Sequence, residues 1–141
     1  MRRLAATMTV LIAAFAVVAV VQETWAGSPH FVDDTVQISR TGNTLTVSGK
    51  EAGLGDEPQV HIVLSATAEC INGGGHHPRA ANKESVSSAG DFPVQNGKTN
   101  FVLSVTATFQ PSCSPPMTVR FTNITLTDTT NGISRSFGGT F

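Results

Sequence analysis

The sequence predicts an all-β fold, a single antiparallel β-sandwich. Three observations predict it. Apolar residues recur at every second position in most apolar stretches, the period of a half-buried strand. Clusters of Gly, Asn, Asp and Pro interrupt these stretches at short intervals. After the first residues, no stretch shows the helical period.

Each element follows in chain order. "TVQIS" (Thr35–Ser39) alternates with Val36 and Ile38 marking its apolar positions. Gly42 and Asn43 supply a turn, and "TLTVSG" resumes with Leu45 and Val47 inward and threonines outward, so the two runs predict a hairpin. "KEAGLGDEP" is read as a loop. Its carboxylates Glu51, Asp56 and Glu57 are read as a solvated cluster.

"VHIVLSATAEC" is the clearest strand. Val60, Ile62, Leu64, Ala66, Ala68 and Cys70 share one phase, while His61, Ser65, Thr67 and Glu69 share the wet one. "ESVSSAGDFPVQ" predicts a polar edge strand, with Pro93 suited to an edge. Asn96-Gly97 is the strongest two-residue hairpin signal. "FVLSVTATF" alternates from Phe101 to Phe109, and "QPSCSPP" stops it. In "TVRFTNITLT", Val119 and Phe121 hold one phase and Ile124 and Leu126 the other, which predicts a β-bulge near Thr122–Asn123. "DTTNG" turns, and "ISRSF" closes the set. About seven short strands of this kind suit an immunoglobulin-like sandwich, with a small barrel as the alternative.

The N-terminus reads as an address. "MRR" is positive, Leu4–Val21 is uncharged, and Thr24 and Ala26 form a small-residue exit. These are the parts of a secretory signal peptide, expected to be cut after Ala26. The apolar run is long enough that an uncleaved anchor is the alternative. Residues 1–26 are therefore assigned to the signal and 27–141 to one β-sandwich domain, secreted and off the membrane after cleavage.

Cys70 and Cys113 form an even pair in a chain expected outside the cytoplasm, and both sit in Gly- or Pro-rich sequence, so a disulfide is predicted. It closes a loop of about 43 residues, which chain entropy values at roughly 4 kcal/mol.

Composition narrows the function classes. The formal net charge is −1 and no basic block occurs, so nothing favours nucleic acid. Tyrosine is absent, and the single tryptophan, Trp25, leaves with the signal, which weakens sugar stacking. No Gly-x-Ser-x-Gly or phosphate-binding pattern occurs, so no catalytic residue and no cofactor are assigned.

The remaining candidate is "CINGGGHHPRAANK" (Cys70–Lys83). Adjacent histidines in extended chain point opposite ways, and His61 lies about 30 Å down the strand, so His76 and His77 are read as loop residues and no metal site is assigned. Arg79 beside Pro78 has the form of a protease-inhibitor contact, but three glycines cost such a loop its preorganisation. The stretch is read as an interaction loop with Asn72, His76, His77, Arg79, Asn82 and Lys83 as its contact residues.

"NTLTVSGKEAGLG", "ATAECINGGGHHPRAANKESV" and "TNITLTDTTNGIS" resemble a family of small secreted actinobacterial proteins, mostly uncharacterised, over roughly Asn43 to Ser134. The resemblance implies a signal peptide and a β-rich fold. It implies no activity, substrate or catalytic residue, and many relatives carry Lys-Asn in place of His76-His77.

The resulting expectation is a non-catalytic extracellular binding or adhesion module with an unidentified extracellular or cell-surface partner. The alternative is a structural component of the cell surface or matrix. A protease inhibitor or a metal-binding protein is the more distant one.

Overall fold

The computed structural model describes residues 27–72 and 82–141. The expected signal segment and loop residues His76, His77 and Arg79 lie outside them. The described chain is all-β and forms two antiparallel sheets, with one disulfide, between Cys70 and Cys113.

The strands are β1 (His30–Phe31), β2 (Gln37–Thr41), β3 (Thr44–Ala52), β4 (Gln59–Ile71), β5 (Lys83–Pro93), β6 (Lys98–Thr106), β7 (Thr118–Asp128) and β8 (Ile133–Phe137). That is eight among the described residues, against the expected seven or so. The addition is the two-residue β1, too short to show a period. Between β1 and β2, Asp33–Thr35 forms a 3-10 turn where Thr35 was expected to open a strand.

In the first sheet, β3 pairs on one side with β1 and β2 in succession and on the other with β6. The second sheet has the order β5–β4–β7–β8. The inward phases predicted for β3, β4 and β6 hold. Leu45, Val47, Val60, Ile62, Leu64, Phe101, Leu103 and Val105 are buried between the sheets. Phe101 lies at the centre and meets Phe31 edge-on at 5.8 Å and Phe92 at 6.2 Å. Gly49 makes room for it, since a Cβ there would lie 3.0 Å from the Phe101 ring and 3.1 Å from Val36.

The bulge falls where the phase switch placed it. Ser65 pairs with Thr125 and Thr67 with Thr122, so Asn123 and Ile124 together oppose Ala66. Asn123 takes φ 51°, a left-handed conformation that asparagine tolerates better than most residues. The extra residue keeps both Phe121 and Leu126 in the core.

Two expectations need correction. The Asn96-Gly97 turn forms, with φ of 53° and 72° and Gln95 bridged to Lys98, but β5 and β6 do not continue as a hairpin. They leave the turn into different sheets, because Phe92 and Phe101 both point into the space between them. "KEAGLGDEP" is not wholly loop, since β3 runs through Ala52 and carries Glu51 into the interior.

Candidate functional site

The candidate loop joins the end of β4 to the start of β5, at the end of the sandwich that also holds the β2–β3 turn and the β6–β7 connection. Of its predicted contact residues, Asn72 and Lys83 are exposed and Asn82 is half-buried.

The base of this loop is tied in three ways. Cys70 bonds to Cys113, with Cα atoms 5.7 Å apart, so the end of β4 is fastened to the β6–β7 connection. The Met117 thioether packs 3.8 Å from the Cys70 sulfur. Beside the cystine, Glu69 stands directly opposite Lys83 on β5 and Arg120 on β7.

Glu69 was placed on the wet face by its phase. Its backbone position is on that face, yet the residue is only 6% exposed because the two basic side chains close over it. Arg120 Nε donates to one carboxylate oxygen at 2.6 Å, and Lys83 Nζ reaches the other at 3.1 Å. Burial pushes the Glu69 pKa up, but the hydrogen bonds and charges of Arg120 and Lys83 outweigh it and hold the carboxyl below its ordinary range. Lys83 is thus both a contact candidate and part of the loop's anchor. The sequence signal was available: an acid ends the wet phase of one strand, and single basic residues fall at the matching positions of its neighbours.

The other two histidines stand away from this end. His61, at the start of β4, contacts the Asp91 carboxylate at 2.7 Å, and His30 Nδ1 lies 2.7 Å from the Ser28 carbonyl oxygen. Among the described residues, no group of three or more His, Cys, Asp and Glu is placed to hold a metal ion. No described helix is long and apolar enough to cross a membrane.

The opposite end holds a feature that the sequence reading missed. Glu51 and Asp128 are both 0% exposed, so the solvated reading of Glu51 is overturned. Asp128 accepts the backbone N–H groups of Thr130 at 2.8 Å and Asn131 at 3.2 Å, and the Asn131 side-chain amide at 2.6 Å. That amide also donates to Glu57 at 3.0 Å. No N–H or O–H donor is aimed at either oxygen of Glu51. Burial, then the contact with Asp128, then the charges of Asp128 and Glu57, push the Glu51 pKa up to about 8. At neutral pH Glu51 therefore carries a proton, and it is the donor to Asp128. The strand's phase held the signal, since Glu51 continues the inward series of Leu45, Val47 and Gly49, but the strand was expected to end at Gly49.

The outer faces carry hydroxyl ladders. Thr44 and Thr106 bond at 2.9 Å, Thr46 and Ser104 at 2.8 Å, and Thr125–Ser136 and Thr127–Ser134 at 3.0 Å each. A shallow depression of about 220 Å³ over the bulge is lined mainly by Ser65, Thr67, Ser85, Ser87 and Asn123.

Comparison with known protein families, with curated proteins and with solved structures finds no match.

Proposed function

We propose that this chain is a secreted, non-catalytic binding or adhesion module of immunoglobulin-like type, which contacts an extracellular or cell-surface partner through the β4–β5 loop. The observation that carries the reading is the three-fold fastening of that loop's base. Cys70 of the cystine, the buried Glu69 and its partners Lys83 and Arg120 all lie within two residues of the ends of β4, β5 and β7. A rigid scaffold below a loop lowers the ordering cost of binding through it. The non-catalytic part is supported by the acid pair at the other end, whose carboxyls lie away from solvent and so from any substrate. Membership of the actinobacterial secreted family and cleavage after Ala26 belong to the same proposal.

Strand order supports the immunoglobulin-like part. With β1 and β2 taken as one split first strand, the sheets read first–second–fifth and fourth–third–sixth–seventh. This is the sandwich order of that class with its fourth strand on the second sheet. The disulfide departs from the antibody pattern, since it joins β4 to a connection and not one sheet to the other.

The test replaces residues 73–81 with a Gly-Ser segment of equal length and measures adsorption of purified protein to the host's cell surface. Loss of adsorption with an unchanged circular dichroism spectrum supports the reading. Undiminished adsorption by the replaced protein refutes it.

The hydroxyl ladders favour a second reading, a structural component of the cell surface that makes broad, weakly charged contacts along its sheet faces. In that case the protein stays with the wall fraction, and loop replacement leaves it there.

A further inference from the structure

We propose that the outer edge of β5, unpaired among the described residues, is a self-association surface, on which a second copy of this chain pairs antiparallel about a two-fold axis at Ser87 and continues the sheet. β5 is the outer strand of β5–β4–β7–β8 and is eleven residues long, whereas β8 at the other edge has five. Its register with β4 runs unbroken from Gln59↔Pro93 to Glu69↔Lys83, with no bulge to twist the edge away. An edge strand turns alternate N–H and C=O groups outward as a template for another strand. Among the described residues, the one side-chain hydrogen bond to the β5 backbone is the Thr99 hydroxyl on the Pro93 carbonyl, at the strand's last residue.

Edges that must stay single carry lysines, prolines or bulges along their length. β5 has Lys83 and Pro93 only at its two ends. Between them, Ser85, Ser87, Ser88, Ala89 and Gly90 offer no bulk to block approach.

The charges select both partner and register. Pairing about Ser87 sets Lys83 opposite the second copy's Asp91, and Asp91 opposite the second copy's Lys83. Moving the axis to Ser88 opposes Lys83 to Pro93, and moving it to Val86 opposes Lys83 to Ala89. The Lys83 side chain is 42% exposed and that of Asp91 59%, so each keeps an open side besides its contact within the chain. β6, the neighbouring edge of the first sheet, lacks this property. Its exposed row of Lys98, Asn100, Val102, Ser104 and Thr106 holds a single charge. The surface shares Lys83 with the base of the loop, but it does not depend on the loop function proposed above.

The test is site-directed oxidation together with sedimentation velocity. Residues directly opposed across antiparallel strands have Cα atoms about 4.5–5.5 Å apart, within disulfide reach. Ser87→Cys should oxidise to a covalent dimer, and an equimolar mixture of Ser85→Cys and Ala89→Cys should cross-link to each other. Ser134→Cys, on the opposite edge strand, should remain monomeric under the same conditions. The unmodified protein should show a concentration-dependent dimer, and Asp91→Lys should raise its dissociation constant about tenfold or more, because like charges then face each other twice. A single monomeric species at all concentrations, with Ser87→Cys linking no faster than Ser134→Cys, overturns the proposal. A dimer that Asp91→Lys leaves intact and that Ser87→Cys fails to trap overturns it equally.

Discussion

Glu51 of β3 and Asp128 of β7 meet inside the sandwich, each 0% exposed, and the proton that Glu51 keeps is what lets them stay there. The division of labour follows from their surroundings. Asp128 has three N–H donors from the β7–β8 turn, whereas Glu51 has none, so Glu51 is the member that carries the proton. Two ionised carboxylates in that space would repel with little solvent screening.

This contact sets a pH dependence. The folded pKa of Glu51, about 8, lies above its ordinary value of 4.5, so the folded state holds an extra proton between those limits. Its contribution to stability is full below the ordinary value and is lost as pH rises through about 8. Denaturation followed across this range should show stability falling with pH by up to about 1.4 kcal/mol per unit. Glu51→Gln keeps a donor for Asp128 without a titrating proton, and should flatten the slope. A slope unchanged in Glu51→Gln would assign it to other groups.

Glu69 works in the opposite sense. Its lowered pKa means that its contribution is present above the ordinary carboxylate value and is lost as pH falls through the folded value. Arg120 is the more enclosed partner, at 24% side-chain exposure against 42% for Lys83. Arg120→Ala should cost about 1–3 kcal/mol in urea unfolding and raise the pH of acid denaturation, because a buried carboxylate loses its best donor. Lys83→Ala should cost at most about 1 kcal/mol. The reverse order would contradict the geometry.

Loss of the Cys70–Cys113 bond should cost roughly 4 kcal/mol if unfolded-chain entropy dominates. Comparing unfolding free energies of the oxidised protein and a Cys70→Ser/Cys113→Ser variant measures it. A difference below about 1 kcal/mol would mean that the packing of Met117 and Val119 holds this end without the bond.

At the bulge, Asn123→Gly should be nearly neutral and Asn123→Val should cost about 1–2 kcal/mol, since φ 51° suits glycine and penalises a β-branched side chain. Deleting Asn123 should be far worse. It would turn either the Val119–Phe121 half or the Ile124–Leu126 half of β7 away from the core. Melting temperatures of the three variants give the order directly.

How much was legible in advance varies by element. β4 could be read residue by residue, because six apolar positions in one phase leave a single way to bury them. The β7 bulge was legible for the same reason, a phase that changes partway through an apolar run. The Asn96-Gly97 turn was seen, but not where its strands go, because turn chemistry is local and says nothing about which sheet each strand joins. At the loop's base, pairing Cys70 with Cys113 needed only their number and setting, whereas the enclosure of Glu69 needed Lys83 and Arg120 in register on two different strands.

The sequence by itself determined the β class, the inward faces of the long strands, the bulge and the disulfide. All four follow from side-chain periodicity, local backbone preference or cysteine count. Tertiary structure alone decided which strands share a sheet, that β5 is the outer strand of its sheet among the described residues, and that Glu51 is buried against Asp128. Each of these depends on residues far apart in the chain coming to one place. For Glu51, the free energy of its charge is set by those neighbours rather than by the residues beside it in sequence.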